Sequence, residues 1–251
     1  MSTVQASPRV LWPRIYLLGD TLTQFAFRLC GWGQLIAESY SRRCDVVARG
    51  FCGYNTRAWR HTLPLVLGPE DAAHAAAVVI MLGTSDSAEP RDPEGSHVPL
   101  EEYADNMERM IDYLKACGVT EDKVILVTPP PIDEQLWLAN TKRQGKDTHR
   151  ALASVTKYAK ECTNVGSRKG VRVVDAHSDF LKDAHWSRLL SDGISLSPAG
   201  SHKLATLLLP VIKEVVGDAP RLFPDFADLQ PDQPEDGISA WTAEACGCAR
   251  L

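Results

Sequence analysis

The sequence predicts an α/β fold: a five-stranded parallel sheet covered by helices on both faces. Three observations carry this. Short apolar runs alternate along the chain with segments of helical periodicity, the pattern of parallel sheets. The run Ala75–Leu82 is almost continuously apolar, as a strand buried on both faces must be. Several of the runs end abruptly in glycine, aspartate or proline.

In order, the first strand is Ile15–Leu18, and it stops at Gly19-Asp20-Thr21. Gly31-Trp32-Gly33 leads into a helix that runs through Arg43, with Leu35, Ile36 and Tyr40 at roughly helical spacing. Asp45–Ala48 is a second short strand, followed by Arg49–Asn55, where two glycines three apart imply a tight turn with bared N–H groups. A helix over Thr56–Leu67 precedes the strand Ala75–Leu82, which halts at Gly83-Thr84-Ser85-Asp86. Residues 87–98 hold Pro90, Pro93 and Gly95 and read as a surface loop.

Pro99–Cys117 is amphipathic with proline at its start, so it reads as a helix. Lys123–Thr128 is the fourth strand, closed by Pro129-Pro130-Pro131, and one long helical region is expected over Trp137–Arg168. Val171–Val174 is the fifth strand and ends at Asp175; Ser178–Leu190 reads as helical. Ser197 then caps a last helix that starts at Pro198 and runs to Val216. The expected organisation is a flexible leader (1–12), one domain (13–216) and an acidic, proline-rich tail without periodicity (217–251).

Composition narrows the functional classes. The chain has 251 residues, 44% of them hydrophobic, enough to bury a large core. Its net charge is −5 with both signs interspersed, so a nucleic-acid partner is not expected. No apolar run approaches the ~20 residues that span a bilayer, and the start lacks the pattern of a secretory signal. Seven scattered cysteines, an odd number, suit a reducing compartment. The expectation is a soluble cytoplasmic protein with no cofactor and no metal.

The stretches Gly19-Asp20-Thr21-Leu22-Thr23-Gln24-Phe25, Gly31-Trp32-Gly33, Arg49–Arg57, Gly83-Thr84-Ser85-Asp86-Ser87, Pro99–Tyr103 and Ser191–Pro198 follow one another at a characteristic spacing. Together they resemble the SGNH or GDSL hydrolase superfamily, most closely its isoamyl-acetate-hydrolysing esterase branch. The resemblance implies a flavodoxin-like three-layer α/β/α sandwich and hydrolysis of short-chain carboxylic esters. It also implies five working positions: a serine nucleophile after Gly-Asp, an asparagine and a glycine in the oxyanion hole, and an Asp-x-x-His pair.

Carried onto this chain, the nucleophile position is Thr21 and the oxyanion donors are the Thr21 backbone, Gly53 and position 85, which is Ser85 rather than asparagine. The acid is Asp192 and the base position holds Ser195 instead of histidine. Threonine keeps a hydroxyl but is β-branched. A serine at 85 falls short of the oxyanion, and losing one such donor costs about 10²- to 10³-fold. An alcohol at 195 cannot take up a proton near neutral pH as an imidazole does.

Two readings therefore stand beside each other. In the leading one the chain is a pseudoenzyme or very weak esterase that keeps a cleft for a small acyl-ester-like ligand. In the other Thr21 remains the nucleophile and uses a relocated base, such as His202 or a water on Asp192. A third reading makes the domain a protein-interaction scaffold working through its tail. His177 and His185 read as ordinary surface or partly buried residues, Asp20 and Asp86 as loop-fixing carboxylates. Cys246 and Cys248 read as a free pair and Cys52 as buried packing.

Overall fold

The computed structural model of the chain describes residues 10–91, 95–145 and 148–248, the last six by backbone alone. Five parallel strands form one sheet: β1 (Arg14–Gly19), β2 (Asp45–Gly50), β3 (Ala75–Met81), β4 (Val124–Val127) and β5 (Arg172–Val174), in the order β2-β1-β3-β4-β5. Leu17 pairs with Ala48 on one side and Val79 on the other, so β1 sits between its neighbours in continuous register from Ile15 to Gly19. Successive side chains of each strand face opposite layers. Tyr16, Leu18, Val78 and Ile80 pack under α3 (Thr56–Val66), α5 (Leu100–Ala116) and α7 (Leu152–Lys169). Ile15, Leu17, Val79 and Met81 pack under α2 (Trp32–Ser39), α8 (Ala176–Leu181) and α9 (Pro198–Val216). The three-layer sandwich expected from the sequence is the fold observed.

The strand order reverses direction between β1 and β3, and the crevice outside the carboxyl ends of the strands at such a point is where open α/β sheets hold ligands. The chain leaves β1 into the single-turn helix α1 (Thr21–Gln24), which nests against the end of β2. That approach requires glycine: a Cβ on Gly50 would lie 1.9 Å from the Gln24 nitrogen. The buried Trp59 indole donates to the Gly19 carbonyl at 2.8 Å, and the Trp32 indole to the Leu22 carbonyl at 3.0 Å. Both anchors fix the turn around Thr21.

Several expected segments differ. The region 137–168 is two helices, α6 (Glu134–Arg143) and α7, separated by a turn in which Gly145 takes φ +70°. The break tucks Arg150 inward, where its guanidinium donates to the Thr84 and Ser85 carbonyls. In place of one helix over Ser178–Leu190 there are α8, which starts earlier because Asp175 caps it by accepting from Ser178 N–H, and a separate 3-10 turn over Trp186–Leu189. Pro69–Ala72 adds a short α4. The segment 87–98 is not simply a surface loop: Ser87, Ala88, Ser96 and Val98 are buried, tied by Val98 N–H to the Asp86 carbonyl and by Asn55 to the Ser96 carbonyl.

Residues 217–248 carry more order than their composition implied. A 3-10 turn over Phe226–Asp228 is followed by α10 (Pro234–Cys248), and Phe223 stacks on Trp241 with centroids 4.6 Å apart. Arg42, itself at φ +61°, donates to the Phe223 and Pro224 carbonyls and pairs with Asp225. This grip straps the C-terminal segment across the end of α2. The leader over 1–9 and the side chains of Cys246 and Cys248 lie outside the described residues. Among the described residues no helix is long and apolar enough to cross a membrane.

Candidate functional site

The ends of β1, β2 and β3 present the expected residues from three separate loops, each fixed by hydrogen bonds to backbone. Asp20 is 1% exposed and caps α1, its Oδ1 accepting from Leu22 N–H at 3.0 Å. Burial pushes its carboxyl up to about 7, with the nearby charge of Asp86 acting the same way and Arg150 opposing. Asp86 is fully buried, accepts from the Thr56 N–H at 2.9 Å and from the Thr56 hydroxyl, and is pushed up to about 6, again by burial. Both carboxylates hold loops, as expected of them. Neither meets a metal arrangement: among the described residues no three His, Cys, Asp or Glu groups are placed to hold an ion.

Thr21 is half-buried at the start of α1. Its hydroxyl oxygen accepts from Gly53 N–H at 3.2 Å and donates to the Cys52 sulfur at 3.3 Å. Gly53 sits at φ +77°, a conformation that glycine adopts without strain, and that twist turns its N–H toward Thr21. The same loop is held by Cys52 N–H donating to Gln24 Oε1 at 2.6 Å. Cys52 is exposed, not packed inside as expected, because the Gly-rich turn lifts it out of the sheet edge. Its contact with the Thr21 hydroxyl could not be read from the sequence, since only the register of two loops creates it.

Asp192 and Ser195 lie together in the loop before α9. The Ser195 hydroxyl donates to Asp192 Oδ2 at 2.8 Å, while the N–H groups of Ile194 and Ser195 donate to Oδ1 at 2.9 and 2.6 Å. The Asp192 carboxylate thus has the Ser195 hydroxyl and two backbone N–H groups as its partners. Thr21 and Ser195 line one cavity of about 140 Å³, together with Arg28, Cys30 and the buried Ser201. No histidine lines it.

Ser85 is not among the residues that line this cavity. It is 7% exposed, its carbonyl accepts from Arg150 at 3.1 Å, and its hydroxyl bonds to none of Thr21, Gly53 or Ser195. His202 is exposed on α9 and does not line the cavity; its carbonyl accepts from Thr206 within the helix. His177 is buried, its ring held between Thr156 at 3.0 Å and the Pro129 carbonyl at 3.2 Å, and burial lowers its pKa. His185 is exposed. The sequence reading missed Arg28, Cys30 and Arg150. None of these had a signal in the sequence, since the burial of Arg150 beside the Thr84 and Ser85 carbonyls is created by the fold.

Comparison with known proteins agrees with this architecture. Residues 17–203 match the GDSL-like Lipase/Acylhydrolase family. The isoamyl acetate-hydrolyzing esterase 1 homologs of Rattus norvegicus and Homo sapiens are each 39% identical, covering 90% of this chain and 92% of their own. An Arabidopsis thaliana GDSL esterase/lipase is 36% identical over 75% of this chain and 81% of its own. Among solved structures, a lipase/acylhydrolase from Enterococcus faecalis superposes with a TM-score of 0.63 at 21% identity, covering 84% of this chain and 100% of its own.

Proposed function

This chain belongs to the GDSL-like lipase/acylhydrolase family, in its isoamyl acetate esterase branch, and we propose that it is a member whose hydrolytic machinery has been dismantled while its cleft is kept. The observation that carries this reading is the Ser195–Asp192 hydrogen bond at 2.8 Å. It supports the reading because Asp192 has an alcohol as its partner at the position the resemblance assigns to the base, and no imidazole lines the cavity beside Thr21. The role left to the cleft is to bind a small acyl-ester-like ligand. Removal of a triad member leaves only about 10³- to 10⁴-fold acceleration over water in enzymes of this mechanism.

One observation favours the active alternative. Gly53 N–H still points at the Thr21 oxygen, as an oxyanion donor beside a nucleophile would. In that reading Thr21 attacks the ester carbonyl and its proton leaves to a relocated base. A fluorophosphonate probe followed by intact-mass measurement decides between the two. The pseudoenzyme reading expects no adduct on Thr21; stoichiometric labelling of Thr21 would overturn it.

A further inference from the structure

A second cavity lies away from the cleft, between the C-terminal ends of α2 and α9. It encloses about 680 Å³ and is lined by Tyr40, Arg43, Leu209, Pro210, Lys213 and, on the rim, Asp218, among others. That is within the range of about 300–1,000 Å³ typical of small-molecule sites. Pro210 is 12 residues beyond Pro198, the cleft end of α9, hence about 18 Å along the helix axis. The groove is therefore separate from the cavity that Thr21 and Ser195 share.

We propose that this groove binds a single-chain amphipathic carboxylate, its head between Arg43 and Lys213 and its chain against Leu209 and Pro210. Charge complementarity is the first argument. Lys213 is exposed and its ammonium pairs with no carboxylate among the described residues, while the Arg43 guanidinium donates to the Ala219 carbonyl. Two cations face one carboxylate, the exposed Asp218. Arg43 is also positioned: its bond to Ala219 belongs to the strap of residues 217–225 that walls the groove.

Tyr40 supplies an independent argument. It is 7% exposed and lines the groove, yet its phenol oxygen makes no hydrogen bond to any described residue. The phenol oxygen is not among the buried polar atoms left without a partner, so it opens onto the groove and is free to donate to a bound head group. Burial raises the phenol's pKa, so it remains a donor at neutral pH and suits an anionic head. By contrast the hydroxyls of Ser39 and Thr206 are already spent on the Leu35 and His202 carbonyls. The charged and hydroxyl groups left to meet a ligand are thus two cations, one phenol and the Asp218 carboxylate, a net positive set beside an apolar wall.

The test is calorimetric titration of the full-length protein with sodium decanoate, alongside decanol and acetate, with amide chemical-shift mapping of the bound state. Decanoate is expected to bind with shifts centred on residues 39–43 and 206–218, and more tightly than either control. Lys213→Glu should weaken it about tenfold, the worth of one charge-assisted bond. Tyr40→Phe should weaken it about threefold, as loss of one neutral hydrogen bond does. Lys213 is exposed, so its variant keeps the fold. Equal binding of decanol, an unchanged affinity in Lys213→Glu, no binding of decanoate, or shifts centred on Thr21 and Ser195 would each overturn the proposal.

Discussion

Restoring three side chains, Thr21→Ser, Ser85→Asn and Ser195→His, should convert this chain into an esterase. The structure states why so few changes suffice. Asp192 Oδ1 is already held by two backbone N–H groups, and Oδ2 faces the residue at 195. A histidine there offers Nδ1–H in place of the serine hydroxyl, and the cavity of about 140 Å³ shared with Thr21 receives its ring. A positioned base contributes about 10²- to 10⁴-fold. A restored oxyanion donor adds about 10²- to 10³-fold. Allowing for incomplete additivity, the triple variant should exceed the parent by at least about 10³-fold in kcat/KM, which is about 4 kcal/mol off the barrier at 1.36 kcal/mol per decade. The assay is hydrolysis of 4-nitrophenyl acetate and butyrate, each protein matched for circular dichroism and Tm. A folded triple variant no faster than its parent refutes the claim that the cleft geometry survives. A parent already turning over at the variant's rate refutes the loss of catalysis.

Other consequences are open to measurement. Asp20 and Asp86 have folded-state values raised to about 7 and about 6 from the ordinary 3.8, so the native state holds protons that the unfolded chain releases. Their contribution to stability is complete below about pH 4 and is lost as pH rises through 6 to 7. Thermal melts should therefore show a falling Tm over that window, and Asp20→Asn should flatten the slope. Gly53→Ala meets no atom within 4 Å but forces φ +77° on a side-chain residue, so urea unfolding should show a loss of about 1–2 kcal/mol without steric collapse. Arg150→Met leaves the Thr84 and Ser85 carbonyls without their charged donor and should cost about 2–4 kcal/mol in the same assay. Under native conditions iodoacetamide should label the exposed Cys30 and Cys52 while sparing Cys44 and Cys162; peptide mass mapping reads this directly. Burial pushes the latter two thiols up to about 11 and about 12.

The sheet was legible because burial leaves a simple mark. Ala75–Leu82 could be nothing but an inner strand, and the glycines after β1 and β2 announced turns that close packing required. The break between α6 and α7 was not legible, because a lone Gly145 inside a helical pattern is tolerated and does not by itself mark a stop. What ends α6 is tertiary: Arg150 must reach the loop after β3, and Glu134 accepts from the Leu152 N–H to close the turn. The order of residues 217–248 was hidden for a related reason. Its hold on the domain comes from Arg42, a residue in another part of the chain donating to carbonyls, and carbonyls carry no sequence signature.

The site divides along the same line. Motif order puts the residues that the resemblance singles out at strand ends and before α9, where they lie, while their connections were not readable, since the bonds of Thr21 to Cys52 and Gly53 depend on how two loops meet. Those loops are held by Asp20 on Leu22, Asp86 on Thr56, Trp59 on Gly19 and Arg150 on Ser85, and none of these bonds involves the side chain at 21, 85 or 195. The scaffold of the cleft is therefore independent of the groups that would do chemistry in it. Selection on catalysis can lapse at those three positions without loosening the loops, because each substitution leaves every backbone-directed bond in place. That independence is what makes the cleft usable for binding alone, and it is also why three side chains should be enough to return the reaction.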